Sequence, residues 1–340
     1  MRSIGIRPQP YIVHEWGVVL FDGSGRVVPG LGFAADLPDF VREASRDPVH
    51  EAAVRTPREE TESLKPLLYF YPGDGLEPGT AFSISCNVRF PQGRPAYLWP
   101  NACILDPGQP EVGAAIRWSR VLLGSAPDVD DGSIVLPMQP VDAEHWFSTA
   151  RDVDAMTIFP VIPQPEARNG TAPVRYQPEK FLFYDGVIAY TDPFDRTVDG
   201  DRTSLRNQGA EPVHDVWVID RTRDALRVAR RPSLGAGETW RISVRDDLRP
   251  IGAADDAVME AEAALAAALE SAGLFAKEAH GMARIWREDF FAREGQWILW
   301  RLGGAAVDCA LPLELTPPPR TVPVRVHLAL APLARAPATR

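Results

Sequence analysis

Cysteine is scarce: Cys86, Cys103 and Cys309 are the only three, and none stands in a CxxC spacing. That excludes a disulfide framework and a cysteine-based zinc site. They read as buried, reduced thiols, with a Cys86–Cys103 bridge across a hairpin as the alternative. Long apolar runs are missing as well. No stretch approaches the ~18 residues of a membrane-spanning helix, so insertion into a bilayer is not expected. The first ten residues carry Arg2 and Arg7 but no apolar stretch of the ~7 residues that a secretory signal needs, which predicts a cytoplasmic location. Positive charge is in deficit: 36 Lys and Arg against 46 Asp and Glu leave a net charge of −10 at pH 7. Nucleic acid is therefore not an expected partner, and any cationic site has to be local. No HExxH, GxxxxGK[ST], GxSxG or strand-linked dinucleotide fingerprint occurs.

Proline is plentiful, 33 in 340 residues, yet none lies between Pro250 and Pro312. A proline every ten residues or so caps helices and favours short strands joined by turns, because the ring offers no backbone donor. The first 250 residues therefore read as mainly β, with strands at 11–21, 67–71, 82–90, 115–123, 181–184 and 187–190. The fold class expected is mainly β, a multi-domain β-sandwich architecture with an inserted α-helical hairpin near the C-terminus. The expected boundaries are a sandwich-like domain over 1–190, a small immunoglobulin-like module over 191–250, the hairpin over 251–295, and strands over 296–333 that pack back on the β modules. In the proline-free window, Asp255 and Asp256 open a helix carrying Val258, Leu265, Leu269 and Ala272, and Gly273 ends it. A second helix over 276–290 aligns Ala279, Met282, Trp286 and Phe290.

Chemistry is thinly marked. His14-Glu15 in the segment His14-Glu15-Trp16-Gly17 pairs a base with an orienting carboxylate, or supplies two metal ligands. A regular strand sends His14 and Trp16 to one face and Glu15 to the other, so a structural histidine beside a core tryptophan is the competing reading. Glu144-His145-Trp146, followed by Arg151, Asp152 and Asp154, is a second cluster. If the fold joins His14 to His145 with Glu15 or Glu144, two imidazoles and a carboxylate could hold Zn²⁺ or another divalent ion, and Arg151 could clamp an anion. The alternative has Arg151 bridging carboxylates to pin two loops, with the histidines at the surface. Glu179-Lys180 precedes an apolar strand, either as catalytic groups or as solvated strand-start charges.

Weaker signals are a stripe of Lys277, His280, Arg284 and Arg287 flanked by Glu278 and Glu288, acidic loops at Asp128–Gly132 and at Asp195, Asp199 and Asp201, and the sequon at Asn169. Trp297 and Trp300, three apart in a strand, should face opposite ways and leave at most one exposed. Arg94, Tyr97 and Trp99 read as a proline-framed loop within reach of a ligand, a reading ranked below core packing of the aromatics.

His14-Glu15-Trp16-Gly17, Leu37-Pro38-Asp39-Phe40-Val41, Leu68-Tyr69-Phe70-Tyr71-Pro72 and Arg89-Phe90-Pro91-Gln92-Gly93 resemble blocks of a bacterial family of uncharacterised proteins. So do Ala150 to Ala155, Glu179-Lys180-Phe181-Leu182-Phe183-Tyr184, Gly273-Leu274-Phe275 and Leu311-Pro312-Leu313-Glu314-Leu315, in the same order. The resemblance implies a shared multi-domain fold and carries no activity or cofactor. Members usually begin with an export signal, and Val18-Val19 stands here where a threonine-phenylalanine pair is usual. Two classes of function follow. One is a non-catalytic binding or scaffold protein with a protein or small-molecule ligand. The other is a metal-dependent hydrolase using His14, Glu15, His145, Arg151 and Glu179.

Overall fold

The computed structural model describes residues 7–26, 36–45, 66–105, 113–130, 132–163, 173–188, 190–252 and 256–334. Asp131, the Asn169 sequon and Asp255 lie outside them. The chain is mainly β, 44% strand against 19% helix, as the proline punctuation implied. No helix among the described residues is long and apolar enough to cross a membrane. Two compact units are present, each assembled from separated stretches of chain.

The first unit comprises Met1–Glu15, Leu31–Ile188 and Asp308–Arg325. It holds the first half of β1 (Tyr11–Leu20), α1 (Asp39–Ser45), β2 (Leu67–Pro72), β3 (Ala81–Phe90), β4 (Arg94–Trp99), β5 (Cys103–Leu105) and β6 (Ala114–Gly124). Then come β7 (Ile134–Val135), α2 (Trp146–Arg151), β8 (Phe159–Pro160), β9 (Arg175–Tyr176) and β10 (Phe181–Val187). One sheet runs β1-β2-β10-β4. In it β2 opens with the apolar run Leu67 to Tyr71 and β10 with Phe181 to Tyr184, as strands buried on both faces require. A second sheet is built on the β3–β6 pair, and β3 keeps the period of two: Ile84, Cys86, Val88 and Phe90 point inward between more exposed neighbours. The turn from β3 into β4 passes so close to β10 that a Cβ on Gly93 would stand 1.8 Å from the Val187 carbonyl oxygen, which only glycine permits.

Arg94, Tyr97 and Trp99, expected in a loop, lie in β4 and pair with β10. Pro95 is accommodated there because it faces Gly186, where the register slips at a bulge after Asp185. Trp99 is buried rather than presented to a ligand.

The second unit comprises Trp16–Gly30, Ala189–Val307 and Val326–Arg340. It contains β11 (Phe194–Asp199), β12 (Arg202–Asn207), β13 (Val213–Arg221), β14 (Leu226–Leu234), β15 (Thr239–Ser243) and β16 (Arg249–Pro250). Then follow α3 (Ala257–Ser271), α4 (Ala276–Ile285), a π-helical turn (Glu288–Ala292), β17 (Gly295–Arg301) and the start of α5 (Gly304–Ala310). The chain next returns to the first unit as β18 (Leu313–Thr316), which pairs with β3, and ends with β19 (Val324–Pro332). Strands β11-β12-β15 form a three-stranded sheet, whereas β13, β14 and β16 join a sheet with β17 and β19.

The helical hairpin forms where proline is absent. Gly273, at φ +109°, closes α3, and Leu265 and Leu269 are buried with Ala257, Ala261 and Ala266. Val258 is only half-buried, since the inward stripe falls on Ala257. The second helix is shorter than the periodicity predicted: α4 ends at Ile285, and the wider π turn carries Phe290 and Phe291 into the core. Trp297 and Trp300 are both buried, because β17 lies between β13 and β19 in the sheet interior.

Candidate functional site

Glu15 is fully buried on β1, and three donors meet it. The Arg325 Nε donates to Oε2 at 2.9 Å, Arg325 Nη2 to Oε1 at 2.9 Å, and the Tyr184 hydroxyl to Oε1 at 2.8 Å. The guanidinium also donates to Asp308 at 2.7 Å and to the Leu311 carbonyl at 2.8 Å. This two-pronged carboxylate–guanidinium geometry is the strongest that arginine offers. Burial opposes the charge on Arg325, but Glu15 more than offsets it and holds the guanidinium above its ordinary pKa. Burial first, then the Glu15 charge, pushes the Cys86 thiol and the Tyr184 phenol up, so both stay protonated. Arg325 escaped the sequence reading. Its one trace was an arginine between Val324 and Val326 in a strand that is apolar apart from it and His327, 310 residues from its carboxylate.

Glu179 is the centre of a second buried pair. It accepts from Arg151 Nε at 2.9 Å, Arg151 Nη2 at 2.6 Å, Trp99 Nε1 at 2.8 Å and the Lys180 backbone N–H at 2.8 Å. Arg151 reaches the Gln139 carbonyl at 2.7 Å, and its guanidinium lies 4.9 Å from the Phe147 ring centre. The structure thus joins Arg151 with the carboxylate of Glu179, a pairing the sequence did not single out, while His14, placed at the surface by the bridging alternative, is buried. Glu179 is not a solvated strand-start charge, and Lys180 reaches in to the Ala155 carbonyl at 2.8 Å.

The histidines serve separate neighbourhoods. His14 is buried with its ring centre 5.2 Å from that of Tyr71. His145 caps α2: its Nδ1 accepts from the Phe147 N–H at 3.1 Å, which leaves Nε2 to donate to the Asp36 carbonyl at 2.8 Å. Among the described residues no group of three or more His, Cys, Asp or Glu side chains is placed to hold a metal ion, so His14, Glu15 and His145 are not gathered into one centre.

Elsewhere, Glu278 is buried and accepts from the Phe275 N–H at 3.1 Å rather than flanking a cationic stripe, and Arg287 pairs with Glu262 and Glu288. Asp195 and Asp199 sit in β11 opposite Arg206 and Arg202, not in a cation loop. Cys86 is buried and Cys103 half-buried, but Cys309 is exposed, and all three are free thiols.

The second unit contains a feature that the sequence reading passed over, a cleft of about 540 Å³. Tyr190, Asp192, Gln208, Glu211, Gly303 and Ala306 are among the residues lining it. Asn207, wholly buried, fixes one wall: its Nδ2 donates to the carbonyls of Glu211 at 2.8 Å and Leu234 at 3.0 Å, while Oδ1 accepts from the Gly209 N–H at 2.9 Å. Asp192 is neutralised by a buried pair with Arg196, whose other arm reaches the Pro332 carbonyl at 2.6 Å. Among the described residues neither the Glu211 carboxylate nor the Tyr190 hydroxyl has a hydrogen-bond partner. Burial, then Asp192, then Glu211 hold the Tyr190 phenol well above its usual pKa. Nothing in the sequence spacing showed that Asn207-Gln208-Gly209 frames a cleft. No family model matches the chain, and no curated protein matches it in sequence.

Proposed function

We propose that the protein is a non-catalytic binding or scaffold protein. The observation that carries this reading is the engagement of the acid–base groups: Glu15 is taken up by Arg325 and Tyr184, Glu179 by Arg151 and Trp99, and His145 by a helix N-terminus. A general base or a metal ligand needs a lone pair that faces substrate, and these lone pairs face the protein. The reading includes a sandwich-like packing of the sheets, with residues 191–250 as an immunoglobulin-like module, and kinship with the bacterial family that shares the His14-to-Gly17 motif. Three free thiols agree with a reducing, cytoplasmic setting.

The test is elemental analysis of protein purified without added metal, joined to turnover of aryl esters and phosphoesters with and without Zn²⁺ or Mn²⁺. Neither stoichiometric metal nor turnover above background is expected. Stoichiometric Zn, Mn or Fe that is lost in a folded His14→Ala, His145→Ala double variant, together with hydrolysis, would overturn the reading in favour of the hydrolase.

A further inference from the structure

We propose that the cleft of the second unit binds a small organic cation, a primary ammonium on a short apolar body, held between Glu211 and Tyr190. This deepens the binding reading and rests on it. The cleft has the size of a small-molecule site: about 540 Å³ falls within the roughly 300–1,000 Å³ typical of such pockets and is far larger than a bare metal ion requires.

Its charge is one-sided. Among the described residues no Lys, Arg or His lines it, and the nearby cation Arg196 is spent on Asp192, which leaves Glu211 as the uncompensated charge among them. Burial chiefly, with the Asp192 and Glu211 charges adding to it, keeps the Tyr190 phenol protonated, so its oxygen stands at the cleft as a neutral group. An anionic ligand would meet repulsion, whereas an ammonium would meet attraction.

The donors and acceptors match as well. An ammonium has three donors and no acceptor, and the cleft offers a carboxylate, a phenol oxygen and an aromatic face. The walls are made of small or apolar residues, Gly209, Ala210, Ala305 and Ala306 with Pro193 and Val213, which leave room for hydrocarbon. Gly303 matters in detail: a Cβ there would stand 3.1 Å from Glu211 Oε2, so the glycine leaves the carboxylate room beside the cleft wall. Asn207 keeps the Glu211 backbone in place, so the recognition element is already formed before a ligand arrives.

The experiment is isothermal titration of the full chain at low salt and near neutral pH with benzylamine, butylamine and 1,4-diaminobutane, with benzyl alcohol and benzoate as the neutral and anionic counterparts. At least one amine is expected to bind, with benzyl alcohol and benzoate ~10-fold or more weaker than benzylamine, because the charge-assisted contact is lost. Glu211→Gln should weaken amine binding ~10-fold, Tyr190→Phe by less, and the remote exposed variant Asp224→Asn not at all. Glu211 is exposed, so its variant keeps the fold. Absence of heat with every amine up to ~10 mM, equal affinity for benzyl alcohol, or unchanged affinity in Glu211→Gln would each overturn the inference. Those outcomes leave the non-catalytic reading standing, whereas turnover in the ester and phosphoester panel would strike that reading alone.

Discussion

Removal of Arg325 while Glu15 remains is the sharpest perturbation the structure offers. The Arg325 side chain is 7% exposed and that of Glu15 0%, and two of the guanidinium nitrogens serve the carboxylate directly. Arg325→Met keeps much of the volume and strands a buried carboxylate that has lost its guanidinium counter-charge and keeps the Tyr184 hydroxyl as a donor. Breaking such a pair from one side destabilises by ~3–5 kcal/mol, whereas an exposed pair contributes ~0–1 kcal/mol. The internal comparison is Arg89–Glu314, whose side chains are 46% and 52% exposed. Urea unfolding of the full chain, followed by tryptophan fluorescence and far-ultraviolet circular dichroism, reads both.

The variant should also acquire a pH dependence. Without Arg325 the folded-state pKa of Glu15 rises above the unfolded value of about 4.3. The deficit is therefore small below that pH and grows as the pH climbs through the raised folded value. A Glu15→Gln, Arg325→Met double variant removes the stranded charge and should recover part of the loss. A loss in Arg325→Met within ~1 kcal/mol of that in Arg89→Met would refute the reasoning, and so would a double variant that loses the sum of the two singles.

Two further predictions concern single side chains. Alkylation of the native protein should label Cys309 first and leave Cys86 untouched until unfolding, because Cys86 is buried and its thiol is held protonated; labelling of Cys86 at the rate of Cys309 would contradict this. His214 has its pKa lowered by burial and by Arg301, with Asp215 opposing. Its contribution to stability is thus complete above the unfolded value of ~6.5 and lost as pH falls through the lower folded value. A titration of its ring resonances with a midpoint above ~6.5 would show the sign to be wrong.

The parts of the fold visible in the sequence were those set by local rules. Gly273 and the missing prolines marked the helical hairpin, and the run 82–90 marked a strand, which the structure shows to be half-buried through Ile84, Cys86, Val88 and Phe90. What stayed hidden depends on partners far along the chain. Glu15 could be recognised as a charged residue in a strand, but its role follows from Arg325 in β19, and no local pattern links the two. The strand alternation that set His14 against Glu15 lost its meaning because β1 is buried along nearly its whole length. Pro95 disguised β4 as a loop, since a proline fits a strand only where a bulge such as that at Asp185 and Gly186 relieves the ladder. Arg151 and Glu179 were legible as charged candidates, but their pairing was not, since 28 residues separate them along the chain. The cleft was illegible because its lining comes from chain segments separated by some 90 residues, from Gln208–Val213 to Gly303–Ala306.

Whether these charges serve architecture or chemistry is tested most directly by the unfolding free energy of Glu179→Gln. The amide leaves Arg151 without its counter-charge, and the architectural account predicts a loss of ~2–5 kcal/mol. A variant as stable as the wild type, or more stable, is what results when a residue is kept for reactivity at the expense of stability, and it would contradict the account.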